Sequence, residues 1–90
     1  MIDIQSRLTK VLRDGNLTVA DLSLWFGRPY HTVRGWTQGH RVGGAQLDAA
    51  FVVAELGQLE KRIKRRQGFP VPRMSKQDRP DYIRKQRNGR

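Results

Sequence analysis

Apolar residues recur at helical spacing over the first 66 residues of the chain. Ile4, Leu8, Val11 and Leu12 lie four, three and one residues apart, so they share one face of a helix that ends at about Arg13. The next three residues are Asp-Gly-Asn, a combination that favours a helix end and a turn. The pattern therefore predicts a first amphipathic helix followed by a tight connection.

Residues 18–39 predict two short helices, over about 19–26 and 29–38. A threonine opens the first of them and Asp21 follows three residues later, which is the spacing of a capping box. Gly27 marks the corner between the two helices, because glycine adopts a left-handed backbone at little cost. The apolar faces consist of Val19, Leu22, Phe26, Val33 and Trp36. We expect Trp36 to be a core residue, since it lies three residues after Val33.

A fourth helix is predicted over about residues 45–66, with apolar stripes in its first half and the basic run KRIKRR at its end. Residues 67–90 are polar, basic and interrupted by prolines, so by themselves they are expected to be disordered apart from a short helix near 81–86. The expected protein is thus all-α, with a small four-helix domain over residues 1–66 and a basic C-terminal tail over residues 67–90.

Charge is concentrated in the last third of the chain. The net charge is +10; residues 1–57 hold six basic and five acidic side chains, a net of +1, and residues 58–90 hold twelve basic and three acidic, a net of +9. A polycation binds polyanions, and nucleic acid is the commonest polyanion inside a cell. The charge distribution indicates a nucleic-acid partner more strongly than a membrane surface or an acidic protein.

The composition offers little for catalysis or metal binding. The chain has no cysteine, and its two histidines, His31 and His40, have no carboxylate cluster nearby in sequence. We therefore expect that the protein is not an enzyme and that it has no cofactor and no metal site. No apolar run approaches the ~20 residues of a membrane span, which indicates a soluble protein of the bacterial or phage-infected cytoplasm, associated with the nucleoid.

Seven residues of the 18–39 stretch have the spacing of a known family motif: Leu22, Ser23, Phe26, Gly27, Val33, Trp36 and Gly39. With the flanking helices, residues 3–66 resemble the Cro/C1-type (Xre-like) helix-turn-helix family of phage repressor and Cro proteins. The chain departs from the family at Arg28, where an apolar residue is usual, and at Gly35, inside the third helix. The resemblance implies a transcriptional regulator that binds double-stranded DNA, with a homodimer reading two half-sites, although no segment stands out as a dimerisation element.

The resemblance also implies which residues contact DNA, because the second helix of the motif enters the major groove. The base contacts would come from Tyr30, His31, Arg34 and Gln38. Arg34 suits guanine O6 and N7, and Gln38 suits adenine. The phosphate contacts would come from Thr18, Arg28, Thr37 and Arg41, together with Lys61, Arg62, Lys64, Arg65 and Arg66 of the basic run. The alternative is that these residues have no binding role and are solvated polar side chains on a structural helix.

Two other functions fit the same sequence. The protein could bind RNA polymerase or another phage or host protein through its tail and an exposed Trp25, with Phe69 and Tyr82 as apolar anchors. Burial of Trp25 against the first or fourth helix is equally compatible with its position. Alternatively, the protein could be a DNA-binding packaging or virion component.

Overall fold

Five α-helices account for the regular secondary structure. The computed structural model describes residues 4–39 and 46–89, without the side chains of residues 46–48, and no β-strand occurs in these ranges. The helices are α1 (Ile4–Asp14), α2 (Val19–Phe26), α3 (Tyr30–Thr37), α4 (Gln46–Lys64) and α5 (Arg79–Asn88). The predicted all-α class is confirmed, and the structure has a fifth helix, α5, beyond the four expected over residues 1–66. None of the described helices is long and apolar enough to cross a membrane.

Local signals fix both ends of α2. The Thr18 hydroxyl accepts a hydrogen bond from the Asp21 backbone N–H (3.2 Å), and the Asp21 carboxylate accepts one from the Thr18 N–H (3.0 Å). This is the predicted capping box, and it satisfies two N–H groups at the helix start. At the other end, Gly27 is left-handed (φ +69°, ψ 35°) and donates to the Ser23 carbonyl. The glycine therefore ends α2 and turns the chain into α3 within three residues.

The hydrophobic core joins residues from all five helices and from the segment before α5. Its buried members are Leu8, Val11, Leu17, Leu22, Trp25, Phe26, Val33, Trp36, Val52, Leu56, Leu59, Phe69, Val71 and Ile83. Phe26 and Trp36 meet edge to face with ring centroids 5.9 Å apart, which fixes α2 against α3. The predicted core role of Trp36 is confirmed.

The C-terminal tail is folded, so the expectation of a disordered tail is wrong. Phe69, Val71 and Ile83 are buried in the core, and α5 is longer than the short helix expected near 81–86. The tail crosses the connection between α1 and α2, where the Val71 N–H donates to the Gly15 carbonyl and the Asn16 side chain donates to the Val71 carbonyl, both at 2.8 Å. The core therefore extends across the boundary expected at residue 66.

Helix α5 lies parallel to α2. At its start, Arg79 Nη2 donates to the Asn16 carbonyl (2.8 Å) and to the Asp21 carboxylate (2.5 Å), near the beginning of α2. Close to its end, Arg87 Nη1 donates to the Leu24 carbonyl (3.3 Å), in the last turn of α2. Two anchors eight residues apart thus fix the direction of α5.

Candidate nucleic-acid interface

Helix α3 presents the four predicted base-contacting residues to solvent. Tyr30, His31, Arg34 and Gln38 are all exposed, and Tyr30 has 51% of its surface accessible. At ~100° per residue, offsets of 0, 1, 4 and 8 residues place them within an arc of ~100°. In the part of the chain that the structure describes, the Arg34 guanidinium forms no hydrogen bond or ion pair. One face of α3 therefore carries a phenol, an imidazole, a guanidinium and an amide, all capable of hydrogen bonding to base edges.

The opposite side of α3 is fixed in the core. Val33 and Trp36 are buried, and so is Gly35. The last turn of α3 is also fixed, because the Gln5 side chain of α1 donates to the Thr37 carbonyl (3.3 Å). The exposed face is thus carried by a helix anchored at both its side and its end.

The two threonines predicted to contact phosphate differ in their available donors. Thr37 already donates its hydroxyl to the Arg34 carbonyl (2.6 Å), so its phosphate contact, which stays a prediction, requires the hydroxyl to leave this hydrogen bond. Thr18 uses its hydroxyl oxygen as an acceptor in the capping box and keeps the O–H donor. Thr18 is exposed at the start of α2, where that donor can reach a ligand.

Arg28 lies in the corner between α2 and α3. Its Cζ lies 4.7 Å from the centroid of the Phe51 ring, which is a cation–π contact, and its Nη1 is 3.4 Å from the Gly27 carbonyl. Phe51 thereby holds this guanidinium next to the start of α3. Arg41, the fourth residue of the predicted phosphate set, lies outside the described residues.

The three residues predicted as protein contacts all belong to the interior or its edge. Trp25 is 1% exposed, and its indole N–H donates to the Glu55 carbonyl of α4 (3.3 Å). Phe69 is buried against it, with ring centroids 5.9 Å apart in an edge-to-face arrangement. Tyr82 is half-buried and donates its hydroxyl to the Gly68 carbonyl (2.5 Å). The prediction of an exposed apolar anchor is therefore wrong for Trp25 and Phe69, and these side chains instead attach the tail to α2 and α4.

The basic run at the end of α4 contains one structural arginine. Arg62 is half-buried and donates to both the backbone carbonyl and the side-chain Oε1 of Gln86 in α5, and its phosphate contact, which stays a prediction, would compete with these hydrogen bonds. Lys61, Lys64, Arg65 and Arg66 are exposed, and within the described ranges they form no ion pair. We call these four residues the α4 corner.

The α4 corner lies away from α3. Ile63 contacts the region of Gly15, and Lys64 borders the same groove as Asp14, so the end of α4 lies at the C-terminal end of α1. Helix α3 ends instead beside Gln5, at the N-terminal end of α1. The 11 residues of α1 separate these points by about 16 Å. The cations at the end of α4 that are predicted to contact phosphate therefore lie apart from the residues of α3 that are predicted to contact bases.

Several tail arginines act within the fold, which sequence reasoning missed. Arg79 and Arg87, like Arg62, donate to backbone carbonyls and are partly buried. The signal in the sequence was the presence of Phe69 and Tyr82 among the cations, which predicted apolar anchors for a protein partner. The surface on which they pack is α2 of the same chain.

One further ion pair connects α1 to α4. Arg7 donates from Nε (3.0 Å) and Nη2 to the Glu60 carboxylate, which gives a two-bond contact between half-buried side chains. The hydrogen bond to Glu60 is the main cause that raises the pKa of Arg7 above its ordinary value, and the opposite charge of Glu60 adds to it against the effect of burial. Arg7 is thus occupied by an ion pair, and the exposed cations of α1 are Lys10 and Arg13.

No protein-family model, curated protein or solved structure matches the chain.

Proposed function

We propose that this protein is a sequence-specific regulator that binds double-stranded DNA through a helix-turn-helix made of α2 and α3. The observation that carries the proposal is the division of α3 into a buried face, with Val33 and Trp36, and an exposed face with Tyr30, His31, Arg34 and Gln38. An α-helix with such a face fits the major groove, where base edges present distinct donors and acceptors.

The corner between α2 and α3 supports the same proposal. Gly27 lets the two helices follow each other within three residues, and Arg28 lies next to the first turn of α3. Thr18 at the start of α2 keeps a hydroxyl donor. Cations and hydroxyl groups around a base-reading helix set its register on the phosphate backbone. In this proposal Arg28 and Thr18 position α3, and Arg34 reads a guanine.

The alternative of a protein that binds RNA polymerase or another phage or host protein loses its main support. Trp25 and Phe69 pack against each other inside the core, so the aromatic anchors of that interface are occupied. Tyr30, which is exposed, lies on the same face of α3 as Arg34. The face proposed for DNA therefore holds the most prominent exposed aromatic residue of the described chain.

Selection of bound sites from random duplex DNA tests the proposal, followed by gel shifts with Arg34→Ala on the selected site. We expect a defined motif, a loss of about 1–3 kcal/mol in binding, and relaxed preference at one base pair. Arg73→Ala is the matched control, because it removes an equally exposed arginine that is not on α3. It should weaken binding to all sequences alike, if at all.

The selection also separates the remaining alternative. A packaging or virion component that binds DNA without sequence preference would yield no motif, and Arg34→Ala would then resemble Arg73→Ala. Equal effects of the two variants would contradict the placement of α3 in the groove.

A further inference from the structure

The α4 corner is a cluster of exposed cations, and no contact among the described residues gives their side chains a role inside the protein. Lys61, Lys64, Arg65 and Arg66 are exposed, and none of them forms an ion pair in residues 4–39 and 46–89. The arginines that stabilise the tail have different surroundings, since Arg62, for example, is half-buried and bonded to α5. The charges of the α4 corner repel one another, and no contact among the described residues offsets this repulsion. Such a cluster indicates a ligand of opposite charge.

Other elements bring further cations to the α4 corner. Lys10 of α1 borders the same groove as Lys64, and Arg13 follows one turn later. The tail segment that carries Arg73 and Lys76 begins and ends at the α1–α2 connection, through the hydrogen bonds of Val71 to Gly15 and of Arg79 to Asn16. The acidic residues nearby are Asp14, Glu60 and Asp78, and the first two are paired with Arg13 and Arg7. The positive charge of this end of the molecule is therefore only partly offset.

The connectivity separates the α4 corner from both ends of α3. Helices α1, α2 and α3 form a closed triangle: the Gly15–Asn16 connection is one vertex, Gly27 is the second, and the contact of Gln5 with Thr37 is the third. Helix α3 is the side that faces the first vertex, and the α4 corner lies at that vertex. At ~1.5 Å per residue, α1 and α2 separate this vertex from the two ends of α3 by about 16 and 12 Å.

The chemistry of the α4 corner fits a phosphate backbone better than a protein. Protein interfaces have apolar centres depleted in charge. The exposed large apolar side chains of the described chain are Tyr30, on α3, and Val53, two turns before the corner in α4. Binding to phosphates needs only cations that replace condensed counterions, and long exposed lysine and arginine side chains supply them.

We propose that the α4 corner binds the phosphate backbone of a second DNA duplex segment while α3 holds the first, so that one molecule joins two segments. This inference rests on the proposed function for the first contact only. The second contact is independent of sequence, depends strongly on salt, and involves Lys64 and Arg65 together with their neighbours at the corner.

A two-duplex capture experiment tests the proposal. The selected site duplex is immobilised and saturated with full-length protein, and capture of a fluorescent duplex of unrelated sequence is measured per bound protein. The double variant Lys64→Gln/Arg65→Gln should capture the second duplex about tenfold more weakly near 0.1 M salt, and the slope of log affinity against log salt should fall by about 1.8 for two lost contacts. Lys61→Gln should give a smaller loss in the same direction.

The matched control is Arg84→Gln/Lys85→Gln, which removes one exposed arginine and one exposed lysine from α5. It should leave capture of the second duplex unchanged once the first duplex is saturated. Equal losses in the two double variants, or no capture by the unaltered protein, would overturn the proposal. Stronger competition by polyglutamate than by unlabelled duplex would also overturn it in favour of an acidic protein partner.

The proposed function can fail separately from this inference. If Arg34→Ala leaves binding to the immobilised duplex unchanged, the role of α3 is contradicted. Capture between two unrelated duplexes, lost in Lys64→Gln/Arg65→Gln, would still support the α4 corner as a second phosphate site.

Discussion

At the scale of single residues, Asp21 connects a local signal to the tertiary structure. Its carboxylate accepts the Thr18 N–H in the capping box and also Arg79 Nη2 from α5, at 2.5 Å. Asp21 is 3% exposed, so its charge is removed from water and depends on these partners. A residue chosen for helix capping thus also holds the C-terminal helix.

Removing the partner of this buried carboxylate should be costly. We expect Arg79→Ala to lower the free energy of unfolding by about 3–5 kcal/mol, because it leaves Asp21 buried without its cation. Urea denaturation followed by circular dichroism measures the loss. Arg84→Ala is the control, since Arg84 pairs with Asp81 (3.5 Å) in an exposed i, i+3 contact and should change stability by less than about 1 kcal/mol. Similar effects of the two substitutions would contradict the role given to Asp21.

At the scale of helices, α5 is attached mainly by hydrogen bonds between side chains and backbone carbonyls, and less by buried apolar side chains. Ile83 is its one fully buried residue among those described. Arg79 and Arg87 of α5 donate to carbonyls of the α1–α2 connection and of α2, and Arg62 of α4 donates to the carbonyl of Gln86. These charge-assisted hydrogen bonds are stronger than neutral ones. They explain how a segment of such low hydrophobicity is folded.

Two glycines, Gly57 and Gly27, are expected to respond to substitution by alanine in opposite directions. Gly57 lies within α4, which continues without interruption, and a Cβ at this position would meet no atom within 4 Å. We expect Gly57→Ala to raise the free energy of unfolding by about 0.5–1 kcal/mol, because alanine favours the helix and restricts the unfolded chain. Thermal unfolding should show a higher midpoint.

The same substitution at Gly27 should have the opposite sign. Its φ of +69° is unfavourable for alanine by about 1–2 kcal/mol, and a Cβ would approach the Arg87 guanidinium to 3.4 Å. A higher unfolding midpoint for Gly27→Ala would contradict its left-handed role at the α2–α3 corner.

At the scale of the whole molecule, the tail is part of the core. Deletion of residues 68–90 removes Phe69, Val71 and Ile83, which are buried, and exposes the Trp25 ring. At about 1.5–3 kcal/mol for each side chain, the loss is about 5–9 kcal/mol, comparable with the total stability of a small domain. We therefore expect the truncated chain to lose cooperative unfolding in urea. A truncated chain with an unchanged midpoint would show that residues 4–66 fold independently.

The DNA binding predicted for the basic tail therefore cannot be tested by deleting the tail. Deletion of residues 68–90 would abolish DNA binding by unfolding the protein, whether or not the tail cations contact DNA. Single and double substitutions of exposed tail residues, such as Arg73 and Lys76, remove charge while the core is kept. The charge of the tail and its packing can only be separated in this way.

The sequence alone determined the features that depend on neighbours within about one helical turn. The limits of α2, the capping box of Thr18 and Asp21, and the left-handed Gly27 follow from backbone hydrogen bonding and steric restrictions that act over three or four residues. The core face of α3 also followed, since Val33 and Trp36 have helical spacing. The exposure of Tyr30, His31, Arg34 and Gln38 could be predicted for the same reason.

Only the tertiary structure decided where the tail packs and which basic side chains form internal contacts. Phe69, Val71 and Ile83 have no helical period, so their apolar character became informative only when they joined the core, where Phe69 meets Trp25 across more than 40 positions of the chain. The division between structural Arg62 and exposed Lys64 also depends on which side of α4 faces α5. Contacts between distant parts of the chain carry no local signature, and they place the α4 corner at the C-terminal end of α1, away from the end of α3.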